Sequence, residues 1–140
     1  MKKILVTILS VLMILAFAGC EDDTPNYAKV RVDLTKLNST MVYSEVYNMV
    51  NEPQKYVGKT VRMKGTFQVY EGAERNYYAC IISDATACCQ SGIEFVLAGD
   101  HEYPNDYPAI GSTITVSGVF DTYKEGDTLY CQLSDAVLGK

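Results

Sequence analysis

The chain holds five cysteines among its 140 residues, and these carry the most versatile chemistry available to it. Cys20 stands apart near the start, while Cys80, Cys88, Cys89 and Cys131 fall in the later part, in the pattern C-x7-C-C followed by one distant Cys. Thiolates favour soft cations, and four of them suffice to enclose a tetrahedral Zn²⁺. The spacing lacks the C-x2-C knuckle by which zinc sites are usually recognised. In an exported chain two structural disulfides compete with the metal reading. Cys80 and Cys131 also lie in apolar strand registers, which suits buried, unreactive thiols. Disulfide, metal and free-thiol readings all stay open. The first two require the four sulfurs to converge on one end of the fold, a redox or zinc-binding protein being the functional consequence.

Other reactive constellations are sparse. His101 is the single histidine, set in the acidic loop Asp100-His-Glu102, with no Ser or Cys beside it in sequence as a nucleophile. Asp100, Glu102 and Asp106 offer oxygen ligands but not the regular spacing of a calcium loop. There is no phosphate-cradling glycine loop and no heptad repeat. The sequence therefore reads as a binding module and not as an enzyme.

The opening residues read as an address. Lys2 and Lys3 precede an apolar run, Ile4 to Ala18, that is too short for a comfortable membrane span and right for the core of a signal peptide. Phe17-Ala-Gly-Cys20 closes the run with small residues before a thiol. This segment resembles the bacterial lipoprotein signal, or lipobox, with Phe17 in place of the usual Leu. The resemblance implies cleavage before Cys20, a diacylglyceryl group on its sulfur, and anchoring in a lipid bilayer on the outer side of the bacterial cytoplasmic membrane, or in the periplasm or outer membrane. The organisation expected is a signal peptide over 1–19, the lipidated cysteine and a tether over 20–38, and a folded domain over 39–140. The formal charge of −5 becomes −7 once Lys2 and Lys3 are lost. So acidic a chain gains nothing from counterion release on a polyphosphate and is repelled by anionic headgroups, which leaves anchoring to the acyl chains.

Beyond the tether, Val30, Val32 and Leu34 alternate as in a short edge strand. Asn38-Ser-Thr40 then supplies an N-cap, and Val42, Val46, Met49 and Val50 recur at helical spacing up to Glu52-Pro53. From Gly58 to Tyr70 the period is two, with Val61, Met63, Phe67 and Val69 on one side. Gly58-x-Thr-φ-x-φ-x-Gly-x-Phe67 returns as Gly111-x-Thr-φ-x-φ-x-Gly-x-Phe120, where φ is apolar. Two such strands, each with an interior glycine to bend it, suit a small and highly curved barrel. Further strands are expected over Tyr77–Ser83, Ile93–Leu97 and Thr128–Ser134. The Tyr103-Pro and Tyr107-Pro pairs are expected to hold the long loop before the second repeat extended.

Five strands with the long connection between the third and fourth fit a mainly β, Greek-key barrel of the OB-fold kind, here with one N-terminal helix plugging an end. Tyr56-Val-Gly-Lys59 leading into Val61-x-Met63-x-Gly65, and Pro108-x-x-Gly111 leading into Ile114-x-Val116-x-Gly118, resemble the bacterial OB-fold proteins called tRNA_anti-like. The resemblance spans about residues 40–138 and implies the fold, with no catalytic residues to transfer. Tyr77, Tyr78 and Glu94 would lie on the face such barrels use for ligands. Glu94, the shortage of cations beside it and the extracytoplasmic address argue against nucleic acid and for a protein or other extracytoplasmic ligand. Lys55, Lys59, Arg62 and Lys64 read as a solvated face.

The lipobox reading has a direct test. Cys20→Ser should abolish lipid processing and release the chain from the membrane fraction; membrane-associated maturation of that variant, as in the parent, would contradict it.

Overall fold

The computed structural model describes Pro25, Tyr27 and residues 29–139. The expected signal segment and Cys20 lie outside the described residues. No helix among the described residues is long and apolar enough to cross a membrane.

The chain order is β1 (Val32–Asp33), a 3-10 turn (Leu34–Lys36), α1 (Ser39–Asn51), a second 3-10 turn (Pro53–Lys55), then β2 (Thr60–Glu71), β3 (Asn76–Ser83), β4 (Gln90–Leu97), β5 (Thr113–Glu125) and β6 (Thr128–Gly139). All six strands belong to one mixed sheet, in the order β1-β2-β3-β4-β6-β5, and β2 also pairs with β5. The five long strands thus follow one another in a ring, and the two-residue β1 adds a sixth strand parallel to β2. Residues 29–38 are part of this packing: Leu34 is buried in the core, and Arg31 N–H donates to the Thr60 carbonyl at 3.0 Å.

Ring formation depends on β2 serving two partners in succession. Thr60 to Thr66 pair with β5, and Thr66 to Glu71 pair with β3. Gly65 sits at the changeover. A Cβ there would drive into the Ile81 carbonyl and meet Cys80 Sγ at 2.9 Å, so only glycine lets the strands come this close. The second repeat has the same device. A Cβ on Gly118 would meet Leu133 Cβ at 2.8 Å and the Ser134 carbonyl at 2.9 Å, at the place where the β5–β6 register shifts. The opening glycines of the repeats match as well, Gly58 at φ 81° and Gly111 at φ 83°, in the left-handed region that favours glycine.

Alternation along the strands fills the ring. Val61, Met63, Phe67, Ile114, Val116 and Phe120, the residues expected inside, are all buried, joined by Cys80, Ile93, Phe95 and Leu133. Asn38 caps α1 by accepting from Met41 N–H at 3.0 Å, and the helix ends before Pro53, as its sequence requires. Val46 and Met49 enter the core, while Val50, the fourth member of the expected helical stripe, is exposed. A part-buried polar link secures the helix: Tyr56 donates to Glu45 at 2.8 Å while its ring meets Phe120 edge-on. Burial first, then that bond and the nearby carboxylates, push the Tyr56 hydroxyl up to about 12.

The long loop is not simply extended. Asp106 N–H donates to the Glu102 carbonyl, and the Asp106 carboxylate accepts from Glu102 N–H at 2.7 Å, closing a turn around Tyr103-Pro104 just before Tyr107. The turn brings Tyr107 onto Tyr78 with centroids 4.1 Å apart, and onto Phe67 at 6.1 Å. Aromatic packing of Tyr107 on Tyr78 and Phe67 favours the folded-back course of the loop.

Gly65→Ala should destabilise the fold by about 1–3 kcal/mol through forced displacement of β3. Urea unfolding measures this, and an unchanged midpoint would refute the close-approach role.

Candidate functional site

Because Tyr78, Cys80, Ile82, Ile93 and Phe95 point into the ring, the alternate residues of β3 and β4 face outward, Tyr77 and Glu94 among them. There they line a groove of about 420 Å³ with Tyr70, Tyr123, Glu125 and Tyr130. Val50, from the last turn of α1, forms part of its wall, which accounts for a valine left exposed.

At the rim of the groove its two carboxylates clamp Arg75, which itself lines the adjoining hollow by the Gly72–Arg75 turn and not the groove. The Arg75 guanidinium lies 2.8 Å from a Glu94 oxygen and 3.3 Å from a Glu125 oxygen. It also sits over the Tyr77 ring, 4.2 Å from the centroid, and 5.2 Å from that of Tyr123. Each tyrosine bonds one of the same carboxylates: Tyr77 Oη donates to Glu125 at 2.8 Å, and Tyr123 Oη donates to Glu94. Tyr123 stacks on Tyr130 at 5.4 Å. Burial tends to discharge Arg75, but the Glu94 charge and the bonds to Glu94 and Glu125 prevail and raise its pKa. The Tyr123 hydroxyl is likewise raised, by burial and then by Glu94. Both groups are thereby held protonated as donors to the two carboxylates.

Tyr78, the third expected member of the ligand face, is not in the groove. It points the other way, onto Tyr107, Tyr103 and Phe67. Neighbours on a strand face opposite sides, so Tyr77 and Tyr78 cannot share one surface. Arg75, Tyr123 and Glu125 carry no motif of their own. The available signal is the pair of turns, Gly72–Arg75 and Glu125–Asp127, that cap adjacent strand ends.

The four later cysteines separate into three settings, all of them unbridged. Cys80 is fully buried in the core, and burial pushes its thiol up to about 12. Cys131 is half-buried beside α1, 3.9 Å from the Met49 carbonyl, and its thiol too is raised by burial. The expected face of β6 fades outward, from buried Leu133 through Cys131 to exposed Leu129, because the β5–β6 hairpin runs past the ring. Cys88 and Cys89 are exposed, with sulfurs 3.4 Å apart, in the loop between β3 and β4. Their close third partner is Asp84, which sequence reasoning did not select. Among the described residues, Asp84, Cys88 and Cys89 form the group whose donor atoms lie within 4.8 Å of one another, and neither Cys80 nor Cys131 belongs to it. Convergence of all four sulfurs, which the four-cysteine disulfide and metal readings both need, is not what this arrangement presents. Short sequence separation carries Cys88 and Cys89 together, but strand alternation sends Cys80 inward.

The remaining expected groups are engaged locally. His101 Nε2 is 2.8 Å from the Ala98 carbonyl. Of the basic stretch, Arg62 bonds Ser117 Oγ at 3.1 Å and reaches Asp33, Lys55 pairs with Glu52, and Lys59 lies over the Tyr56 ring.

No protein family matches the chain, and no curated protein or solved structure matches it.

Proposed function

We propose that this is a membrane-anchored extracytoplasmic lipoprotein, held by a lipidated Cys20, whose barrel is of the OB-fold type and binds a neutral, hydroxyl-rich ligand such as a glycan in the groove beside Arg75. The observation that carries the binding reading is the position of the groove relative to the strand order. Binding by OB-folds uses the face of the second and third barrel strands together with the turns that join the first to the second and the fourth to the fifth. In the ring these strands are β3 and β4, which supply Tyr77 and Glu94, and the two turns carry Arg75 and border Glu125. Tyrosine rings offer apolar faces to the C–H side of a sugar, and the fixed carboxylates offer acceptors to its hydroxyls.

Charge distinguishes this ligand from a nucleic acid. Arg75 is already paired with two carboxylates, so the groove carries more negative than positive charge and gives a phosphate backbone no counterion-release gain. The fold-type assignment rests on the ring order and on the two matched repeats; the membrane address rests on residues 1–20 of the sequence.

Titration calorimetry of the purified chain against a panel of neutral oligosaccharides and a single-stranded oligonucleotide tests the groove. Oligosaccharide binding should weaken about 10-fold or more in Tyr77→Ala and in Glu94→Gln, as when a hydroxyl-reading contact or an aromatic platform is lost. Absence of oligosaccharide binding, binding untouched by both substitutions, or tight salt-dependent oligonucleotide binding would each overturn the proposal.

A further inference from the structure

The loop between β3 and β4 lies outside the groove beside Arg75 and has its own chemistry. Asp84 is its hub. One carboxylate oxygen accepts from the backbone N–H of Cys88 at 3.0 Å and of Cys89 at 3.4 Å. The other accepts from Thr86 Oγ1 at 2.9 Å and lies 3.3 Å from Cys88 Sγ. The backbone closes the same loop, with Asp84 N–H donating to the Cys89 carbonyl at 3.0 Å and Ala87 N–H donating to the Asp84 carbonyl at 3.0 Å. Ala87 sits at φ 56°, a left-handed conformation unfavourable for alanine, which turns the two cysteines back toward the carboxylate. Tyr43 of α1 lies alongside: burial, then charge on Cys89, Asp84 and Cys88, raises the pKa of its hydroxyl.

We infer that Asp84, Cys88 and Cys89 form a site for one thiophilic divalent cation of the zinc class, with two thiolates and one carboxylate as ligands. The spacing fits the chemistry. Tetrahedral zinc with Zn–S near 2.3 Å separates two sulfurs by about 3.8 Å and a sulfur from an oxygen by about 3.5 Å. The sulfur–sulfur distance here is 3.4 Å, Cys88 Sγ lies 3.3 Å from an Asp84 oxygen, and all three donor atoms fall within 4.8 Å of one another, so small side-chain adjustments bring them to an ion. Two thiolates select a soft or borderline cation over Ca²⁺ or Mg²⁺. The hydrogen bonds that fix Asp84 act as the outer-shell supports a ligand carboxylate normally has. Three protein donors leave a fourth position open to water or to a group from another molecule, as in zinc sites that exchange ligands. Binding forms two metal–sulfur bonds and one metal–oxygen bond and releases the protons of the two thiols to solvent. No redox change is involved.

The test uses the full chain, reduced, metal-free and solubilised in detergent, titrated with Co²⁺ as the spectroscopic probe and then with Zn²⁺ as competitor. The expected result is one Co²⁺ per chain, with a sulfur-to-cobalt charge-transfer band that Zn²⁺ abolishes. Cys88→Ser and Cys89→Ser should each reduce the band by about half and weaken affinity about 10-fold or more, loss of a direct ligand costing at least as much as loss of an outer-shell partner. Both cysteines are exposed, so these variants should keep the far-ultraviolet circular dichroism of the parent. Cys131→Ser should leave the band unchanged. Failure to bind one ion, a band that survives replacement of both Cys88 and Cys89, or a band lost in Cys131→Ser would overturn the site.

Discussion

The structure depends on one strand having two partners. β2 gives its first half to β5 and its second half to β3, and at the changeover both partners must approach the strand closely. Gly65 meets that constraint by removing the side chain that would strike Ile81 and Cys80. Without the β2–β5 pairing the sheet would be an open ribbon with two long edges, each offering unpaired backbone groups to other chains. With it, Phe67, Phe95 and Phe120 share one enclosed core, and Phe67 lies within 5.9 Å of Phe95.

The groove follows from the same closure. Residues far apart in the chain meet around Arg75: Glu94 is 19 positions away and Glu125 is 50. An ion pair this exposed contributes little to stability by itself, Arg75 being 41% accessible. Glu94 is different, at 11%, because its carboxylate is enclosed by Arg75 and Tyr123. The network is better understood as holding donors, acceptors and ring faces in fixed positions. Such preorganisation lowers the ordering cost when a ligand binds, which is the physical content of the proposed binding role.

How much of this was legible beforehand depended on the range of the interaction. The repeat G-x-T-φ-x-φ-x-G-x-F is local, so both bent strands, their inward residues and the strand limits could be read to within a few positions. The helix stop before Pro53 is local as well, whereas of the edge strand expected through Val30, Val32 and Leu34 only Val32–Asp33 pairs, Leu34 opening a 3-10 turn capped by Asp33. The groove was only half legible. Glu94 and Tyr77 follow from alternation, but the choice between Tyr77 and Tyr78 needs the register, and Arg75 acquires meaning only when Glu125 is brought across from the β5–β6 turn. The cysteines show the same limit. Proximity in sequence joins Cys88 to Cys89, whereas the inward direction of Cys80 and the overhang of the β5–β6 hairpin decide the settings of the other two. Asp84 precedes Cys88 by four positions, and a lone aspartate opening a loop has the look of ordinary turn chemistry.

Native-state amide hydrogen exchange at the β2–β5 seam tests the central claim most directly. If the ring is closed, the hydrogen-bonded amides of Thr60–Thr66 and Thr113–Val119 exchange only through global unfolding, with protection equal to that of the β5–β6 amides. Exchange of the seam amides at the rate of the loop around Asp106, while β5–β6 stays protected, would mean an open sheet and would contradict the account.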